Sequence, residues 1–390
     1  TFNLTDSIAI TAGARYTEEE KRAHAMMAVT TNTTGDATPS TNGVLAAIVD
    51  GFDLGLAHEF DESRSSNQFL PAANIEWTQS EDSMFYLSYS EGFKSGGFNS
   101  VDDQRPAFTA DGSIQRTVPG LGFEYDDENA DSIELGGKHT LLDGGMTLNW
   151  ALYNSTYENQ QVSTFVGTSF VVTNAASTEI RGLEVDLQWQ ASDYLKLGAS
   201  VAFNDGEYGS YPGAGCTVEQ QSGILGLARA TGRTDASGNP TSQLLRSDPT
   251  TSFDGCQASF GLDDVQNGES VDRTGDKVGV DYNGTLTADY NRPVPVMGGM
   301  LWMTSLDINF TDGYQMIGGS TDPRTYQDAF SKTNFRTGLK GENWSVMLYG
   351  KNVFDETTAS GTFPVPLASG AFAQYTLPGS VWGATVNYNF

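Results

Sequence analysis

No stretch of this chain approaches the roughly 18 to 20 consecutive apolar residues that a membrane-crossing helix requires, so a helical membrane protein is excluded. Basic residues are scarce: 21 Lys and Arg stand against 49 Asp and Glu, a net charge of -28. A polyanionic partner would be repelled, which argues against nucleic acid. The acidic surplus reads as a solvated surface, with divalent-cation binding the sharper alternative. With only three histidines and two cysteines, no zinc-like or other metal-ligand spacing appears, and we expect no cofactor. Leading features are missing too. The chain opens TFNLTDSIAI without Met, basic region or apolar signal core, as either a mature terminus or an internal fragment would.

What the chain does have is alternation. In Arg181–Asn204, Leu183, Val185, Leu187 and Trp189 alternate with Glu184, Asp186, Gln188 and Gln190. After Ser192-Asp193 the pattern resumes through Leu195, Leu197, Ala199, Val201 and Phe203. Strand side chains alternate at period two, so this is a tight antiparallel hairpin with one apolar face. Similar segments recur, twelve in all: they begin at Ile8, Phe69, Phe85, Ile133, Met146, Leu183, Leu195, Val278, Trp302, Ala329, Trp344 and Trp382.

Their connections alternate between short and long. Short turns fall at Ser80–Ser83, Leu142–Gly145, Ser192–Asp193, Val296–Gly299 and Gly341–Asn343. Long polar stretches fall at His24–Ser66, Ser95–Tyr125, Gln161–Ala175, Asp205–Asp276, Thr311–Tyr326 and Asp355–Gln374. That rhythm is the one of an outer-membrane barrel, with tight periplasmic turns and long extracellular loops. Aromatics near segment ends (Trp77, Trp189, Phe203, Tyr290, Trp302, Trp344, Phe354, Phe390) suit interfacial girdles. Because backbone groups in lipid must all be paired, such a sheet closes on itself. The expected fold is therefore all-β, a transmembrane antiparallel β-barrel with its apolar face outward.

Several segments carry more than pattern: AGARYTEEEK at 12–21, FYLSYSEGFKSGGFN at 85–99, ENADSIELGGKHTLLDGGMTLNWALYNSTYENQQVSTF at 128–165, VTNAASTEIRGLEVDLQW at 172–189, SVMLYGKNVFDE at 345–356 and GATVNYNF at 383–390. In this order they resemble the C-terminal barrel half of TonB-dependent outer-membrane receptors. The resemblance implies that residues 1–390 supply about 12 strands of a barrel of about 22. It places the plug domain, the first strands and the energy-coupling box upstream of this chain. A self-contained twelve-stranded barrel is the alternative. It also implies placement in a Gram-negative outer-membrane bilayer and contact with the barrel-assembly machinery. Energy would come from the TonB-ExbB-ExbD complex, acting through the region absent here. The small-molecule cargo would be a ferric siderophore first and an oligosaccharide second. The histidine-poor FKSGGFN stretch disfavours haem.

Candidate sites follow. Ligand capture falls to loop tips and the upper lumen, where Lys94, Arg105, Phe108 and Arg116, then Tyr208, Tyr211, Arg229 and Arg233, are candidates. Cys216 and Cys256, both in one Gly/Ser/Asp-rich stretch, suggest a loop-stapling disulfide in an oxidising compartment. Val386, Tyr388 and Phe390 share a face and look like a barrel-assembly signal, or simply a last lipid-facing strand. A passive pore and an outer-membrane hydrolase are the competing functions. For the hydrolase, His139 has no evident Ser-bearing partner motif, so no catalytic residue is assigned.

Overall fold

The computed structural model describes residues 1–27, 58–99, 124–166, 169–212, 214–215, 220, 252–253, 256–259, 268–295, 298–317, 322–365 and 371–390. Its main body is one antiparallel sheet of 13 strands in which every neighbour in space is the neighbour in sequence. They run β1 Phe2–Asn3, β2 Ile8–Met27, β3 His58–Ser80, β4 Ser83–Lys94, β5 Glu128–Leu141, β6 Met146–Val166 and β7 Ser169–Ser192. The rest are β8 Leu195–Ser210, β9 Tyr282–Val294, β10 Met300–Thr311, β11 Phe330–Lys340, β12 Trp344–Lys351 and β13 Val381–Tyr388. All twelve alternating segments are present, and the short β1 adds one strand at the edge. Among the described residues β1 and β13 pair with one neighbour each, leaving both edges of the sheet open.

The register explains the two faces. Leu87, Leu135, Leu152, Leu183 and Phe203 lie in one row across β4 to β8, each directly opposite the next. One step away on the other face, Glu134, Tyr153, Gly182 and Asn204 form the matching polar row. Leu135, Leu152 and Phe203 remain 44%, 47% and 52% exposed, which a water-facing sheet surface would not tolerate as a continuous band. They suit a lipid-facing wall. From Leu195 to Phe203 the apolar run covers about 27 Å along the strand, or roughly 20 Å along the membrane normal at ordinary barrel tilt.

Aromatic contacts border that band. Trp77 stacks on Phe85 at 5.6 Å, and Tyr290 meets Trp302 edge-on at 5.7 Å, both close to the short turns. Tyr282 and Phe310, 6.3 Å apart, sit at the opposite limit. On the polar face, tyrosines lie over glycines of the next strand. A Cβ on Gly182 would stand 2.5 Å from the Tyr153 ring, so only glycine admits that packing. The Tyr153 hydroxyl then donates to Asn204 Oδ1 at 2.6 Å. The short turn after β5 needs left-handed backbone at three successive residues, Leu142, Asp143 and Gly144, and closes with Gly145 N–H on Leu142 C=O at 2.9 Å.

Several boundaries differ from the sequence expectation. Gln161–Ala175 is not a loop: β6 and β7 pair through to Val166 and Ser169. Likewise β2 reaches Met27 and β3 starts at His58, well inside the stretch read as loop. Above the membrane both faces of a ribbon meet water, so pairing continues without the alternation that reveals it. With 24 and 23 residues, β7 and β3 greatly exceed the roughly 9 to 11 that span a bilayer, and they stand out as long hairpins. At the same end of the sheet, β9 starts at Tyr282 rather than Val278, and β12 ends at Lys351 rather than Phe354.

Candidate functional site: the extracellular mouth

At the long-loop end, the chain leaving β4 turns across the sheet as a strap. Gly97–Phe98 pair antiparallel with Glu124–Tyr125, and the returning chain enters β5 at Glu128. Asp127 is the node of this strap. Its Oδ1 accepts from Gly96 N–H at 2.7 Å, Ser66 Oγ at 2.7 Å and Arg64 Nη2 at 2.9 Å, while Oδ2 accepts from Gln68 Nε2 at 3.4 Å. Ser66, Gln68 and Arg64 alternate on the polar face of β3, and period two is what aims all three at one carboxylate. Burial of the carboxyl works against ionisation, but these donors outweigh it and hold its pKa below the ordinary carboxylate value.

Arg64 completes the knot. Its Nη1 donates to Tyr125 C=O at 2.7 Å and to Glu124 at 3.0 Å, and its side chain is only 10% exposed. Lys21, opposite Arg64 on β2, reaches Ser95 Oγ at 2.6 Å and Gly96 C=O at 2.7 Å. Gly96 can be nothing larger, because a Cβ there would lie 2.2 Å from Tyr125 C=O and 2.6 Å from the Arg64 guanidinium carbon.

The strap's other side is tied to the β6–β7 hairpin. The Asn99 side chain imitates a strand residue, accepting from Val172 N–H at 2.7 Å and donating to its C=O at 2.9 Å. Gln161 Nε2 reaches Ser95 and Asp126 carbonyls, and Asn174 brackets Asp126 through N–H and C=O. The result is a polar, largely hydrogen-bonded platform joining the β2–β3 and β6–β7 hairpins.

A second cluster lies beyond β8. Tyr208 and Tyr211 pack at 4.8 Å between ring centres in a small core with Ala176 and Ala214. Four short strands there pair in the order Ala214–Gly215, Gly268–Val271, Cys256–Ser259 and Ser252–Phe253. Burial pushes the Tyr211 phenol up to about 12 and raises Tyr208 as well. Near the C-terminus, Asp322 caps a single 3-10 turn and grips Arg324, whose guanidinium lies 4.8 Å from the Phe372 ring centre.

The residues singled out in the sequence separate on this frame. Lys94 is exposed on the lumen side, opposite Glu128, at the foot of the strap. Tyr208 and Tyr211 are 9% and 2% exposed, and their rings hold the loop core together rather than lining an open surface. Arg105, Phe108, Arg116, Arg229 and Arg233 lie outside the described residues. Cys256 is fully buried and disulfide-bonded, while Cys216 lies outside the described residues. Val386, Tyr388 and Phe390 share the outer face of β13 and its end, with Tyr388 and Phe390 rings 5.1 Å apart. Sequence reading missed Arg64, Asp127, Asn99 and Gln161; the paired glycines Gly96-Gly97 and the acidic run Glu124–Glu128 were the signals available.

His139 does have a serine beside it, contrary to expectation: Ser83 Oγ stands 3.1 Å from Nδ1. The indole N–H of Trp150, which can only donate, points at Nε2 at 3.1 Å. Nε2 is therefore the acceptor, Nδ1 carries the proton, and the serine hydroxyl accepts. A general base would need the reverse. Among the described residues no group of His, Cys, Asp and Glu is arranged to hold a metal ion.

Comparison with known proteins adds the following. A family model described as TonB dependent receptor-like, beta-barrel matches residues 1–353. The chain is similar in structure to the ferric yersiniabactin uptake receptor FyuA from Yersinia pestis, with TM-score 0.61 and 12% identity over 99% of this chain and 44% of that one. It is also similar to the ferric-catecholate import receptor Fiu from E. coli K12 in its closed form, with TM-score 0.57 and 12% identity over 99% and 43%. A third is the siderophore receptor PiuA from Acinetobacter baumannii, with TM-score 0.56 and 14% identity over 99% and 41%. The chain spans less than half the length of these structures.

Proposed function

The chain belongs to the TonB-dependent receptor family, and from that premise we propose that it forms the C-terminal wall of a receptor importing ferric siderophores. Its place is the outer membrane of a Gram-negative cell. The supporting observation is the division of the sheet into a lipid-facing belt and long cross-tied hairpins that carry a polar platform at the extracellular mouth. Such a platform fixes the hairpins around the mouth, where a receptor's ligand would land. Three solved structures that resemble it over 99% of its length are named as a ferric yersiniabactin uptake receptor, a siderophore receptor and a ferric-catecholate import receptor, which makes that cargo class the first to test.

In this reading the plug and the remaining strands lie in parts of the receptor outside residues 1–390, in keeping with the 44% coverage of the FyuA structure. The cargo passes to the periplasm with energy relayed by TonB, ExbB and ExbD. The barrel-assembly machinery reads the Val386, Tyr388 and Phe390 face. Growth on single ferric siderophores under iron limitation tests this. Deleting the receptor gene should abolish growth on at least one, and so should deleting the energising complex. Growth unchanged by loss of that complex rules the reading out.

A further inference from the structure

Negative charge gathers at the end of the sheet where cargo enters. The six long polar stretches named from the sequence hold 25 Asp and Glu against 8 Lys and Arg, and the rest of the chain holds 24 against 13. A mouth with a surplus of one sign concentrates ligands of the other. The cations described there are already engaged. Above the belt, Arg22, Arg64, Arg181, Arg273 and Arg324 each lie 2.5 to 2.9 Å from a carboxylate. Lys21 is turned onto Ser95 and Gly96, and Lys94 stands opposite Glu128. Guanidinium forks held in this way are not free to clamp an incoming carboxylate or catecholate.

On the strap, one guanidinium serves three carboxylates, because Arg64 faces Glu124, Asp126 and Asp127 together. Asp126 is the most exposed of the three, at 79%, and lies 3.4 Å from Arg64. Its backbone is pinned on both sides. The N–H donates to Asn174 Oδ1 at 2.6 Å, and the C=O accepts from Asn174 Nδ2 at 2.9 Å and Gln161 Nε2 at 3.0 Å. The carboxylate is thus presented to solvent from a fixed place at the mouth.

We propose that the cargo is a ferric chelate without net negative charge, of the hydroxamate type with a protonated amine on its scaffold, and that Asp126 faces that amine. Three hydroxamates neutralise ferric iron, so the amine makes the complex cationic, whereas three catecholates leave a trianion. A trianion here meets surplus carboxylates, and drawing Arg64 away from Asp127 to receive it would break a largely buried pair. A cationic chelate is attracted by the same surplus and leaves the pairs in place.

The inference rests on the siderophore reading and narrows it. The test uses the full receptor in mild detergent with three ferric chelates: a tris-hydroxamate with a free amine, the same compound acetylated on that amine, and a tris-catecholate. Affinities are read from quenching of tryptophan fluorescence. At about 20 mM salt the amine-bearing chelate should bind about fivefold tighter than its acetylated form, and at about 500 mM the two should converge. The catecholate should bind more weakly than either. Asp126→Asn, which keeps the backbone contacts, should reduce the low-salt difference about twofold. Heat-modifiable gel mobility verifies that the variant is folded. Catecholate binding as tight as that of the acetylated chelate, a difference that survives high salt, or no change in Asp126→Asn overturns the proposal and leaves the receptor reading intact. Failure of all three chelates to bind overturns both.

Discussion

Arg64 and Asp127 meet at 2.9 Å although β4, the strap and a long connection lie between them in sequence. Their side chains are 10% and 15% exposed, so neither charge can be left alone cheaply. Breaking a largely buried pair by removing one partner costs about 3 to 5 kcal/mol. Arg64→Ala should therefore release the strap while the belt strands stay folded. Hydrogen exchange at Gly96–Asn99 and Glu124–Glu128 should accelerate, with β7 and β8 within the belt unchanged. Unaltered exchange in the strap would show that the pair is not its fastening.

The same knot has a pH signature. The Asp127 pKa is depressed in the folded protein, so its contribution is fully present above the unfolded carboxylate value of about 3.9. It disappears as pH falls through the folded value, which lies lower. Strap exchange, corrected for intrinsic rates, should stay flat from neutrality to about pH 5 and open only in stronger acid. Asp127→Asn should remove that acid transition. Opening near pH 6 would point to a different group.

Tyr211 should behave as an anchor of the loop core. Phe in its place should be nearly neutral, whereas Tyr211→Ala should cost about 3 to 5 kcal/mol locally and expose the loop to protease. The pKa raised to about 12 in the folded state means stabilisation is complete below the unfolded value of about 10 and is lost as pH rises through 12. Ultraviolet titration of the phenols, wild type against Tyr211→Phe, should show one late-titrating tyrosine missing. A direct ligand contact would instead make Tyr211→Phe lower affinity with the loop intact.

Cys256 and Cys216 should form the single disulfide of the loop. Closing a ring of that length stabilises by about 4 kcal/mol in the chain-entropy estimate. Non-reducing peptide mapping should recover the two cysteines in one linked fragment, and Cys256→Ser should make the loop protease-sensitive. Recovery of a free thiol at either position would refute the pairing.

How much of this could be read from residues alone depends on where water stands. In the belt, lipid on one face and lumen on the other impose period two, so Leu183–Trp189 and Leu195–Phe203 declared themselves. Above it, Thr17–Arg22 pairs with Ser63–Gln68 through side chains that are polar on both faces, and the alternation vanishes while the backbone ladder goes on. In β6, Asn159 takes a left-handed backbone and the register slips between Tyr157 and Gln160, which breaks the pattern just where a loop had been expected. The knot was less visible still, because Arg64 and Asp127 belong to no local motif and are joined only by the paired strands.

The orientation of the sheet can be tested residue by residue in the β7 wall. Leu187 and Gln188 are neighbours in sequence but face opposite sides, with Leu148 and Ala199 beside the first and Thr147 and Gly198 beside the second. If the apolar face meets lipid, Leu187→Arg places a charge well inside the hydrocarbon and should cost about 2 to 4 kcal/mol. Gln188→Arg faces the lumen and should cost far less. Folding yields into bilayers, scored by heat-modifiable mobility, should fall for the first variant and stay near wild type for the second. Thinner bilayers should partly rescue Leu187→Arg, since a shorter hydrocarbon path lets the guanidinium reach headgroups. The opposite ranking would mean that the sheet is turned inside out.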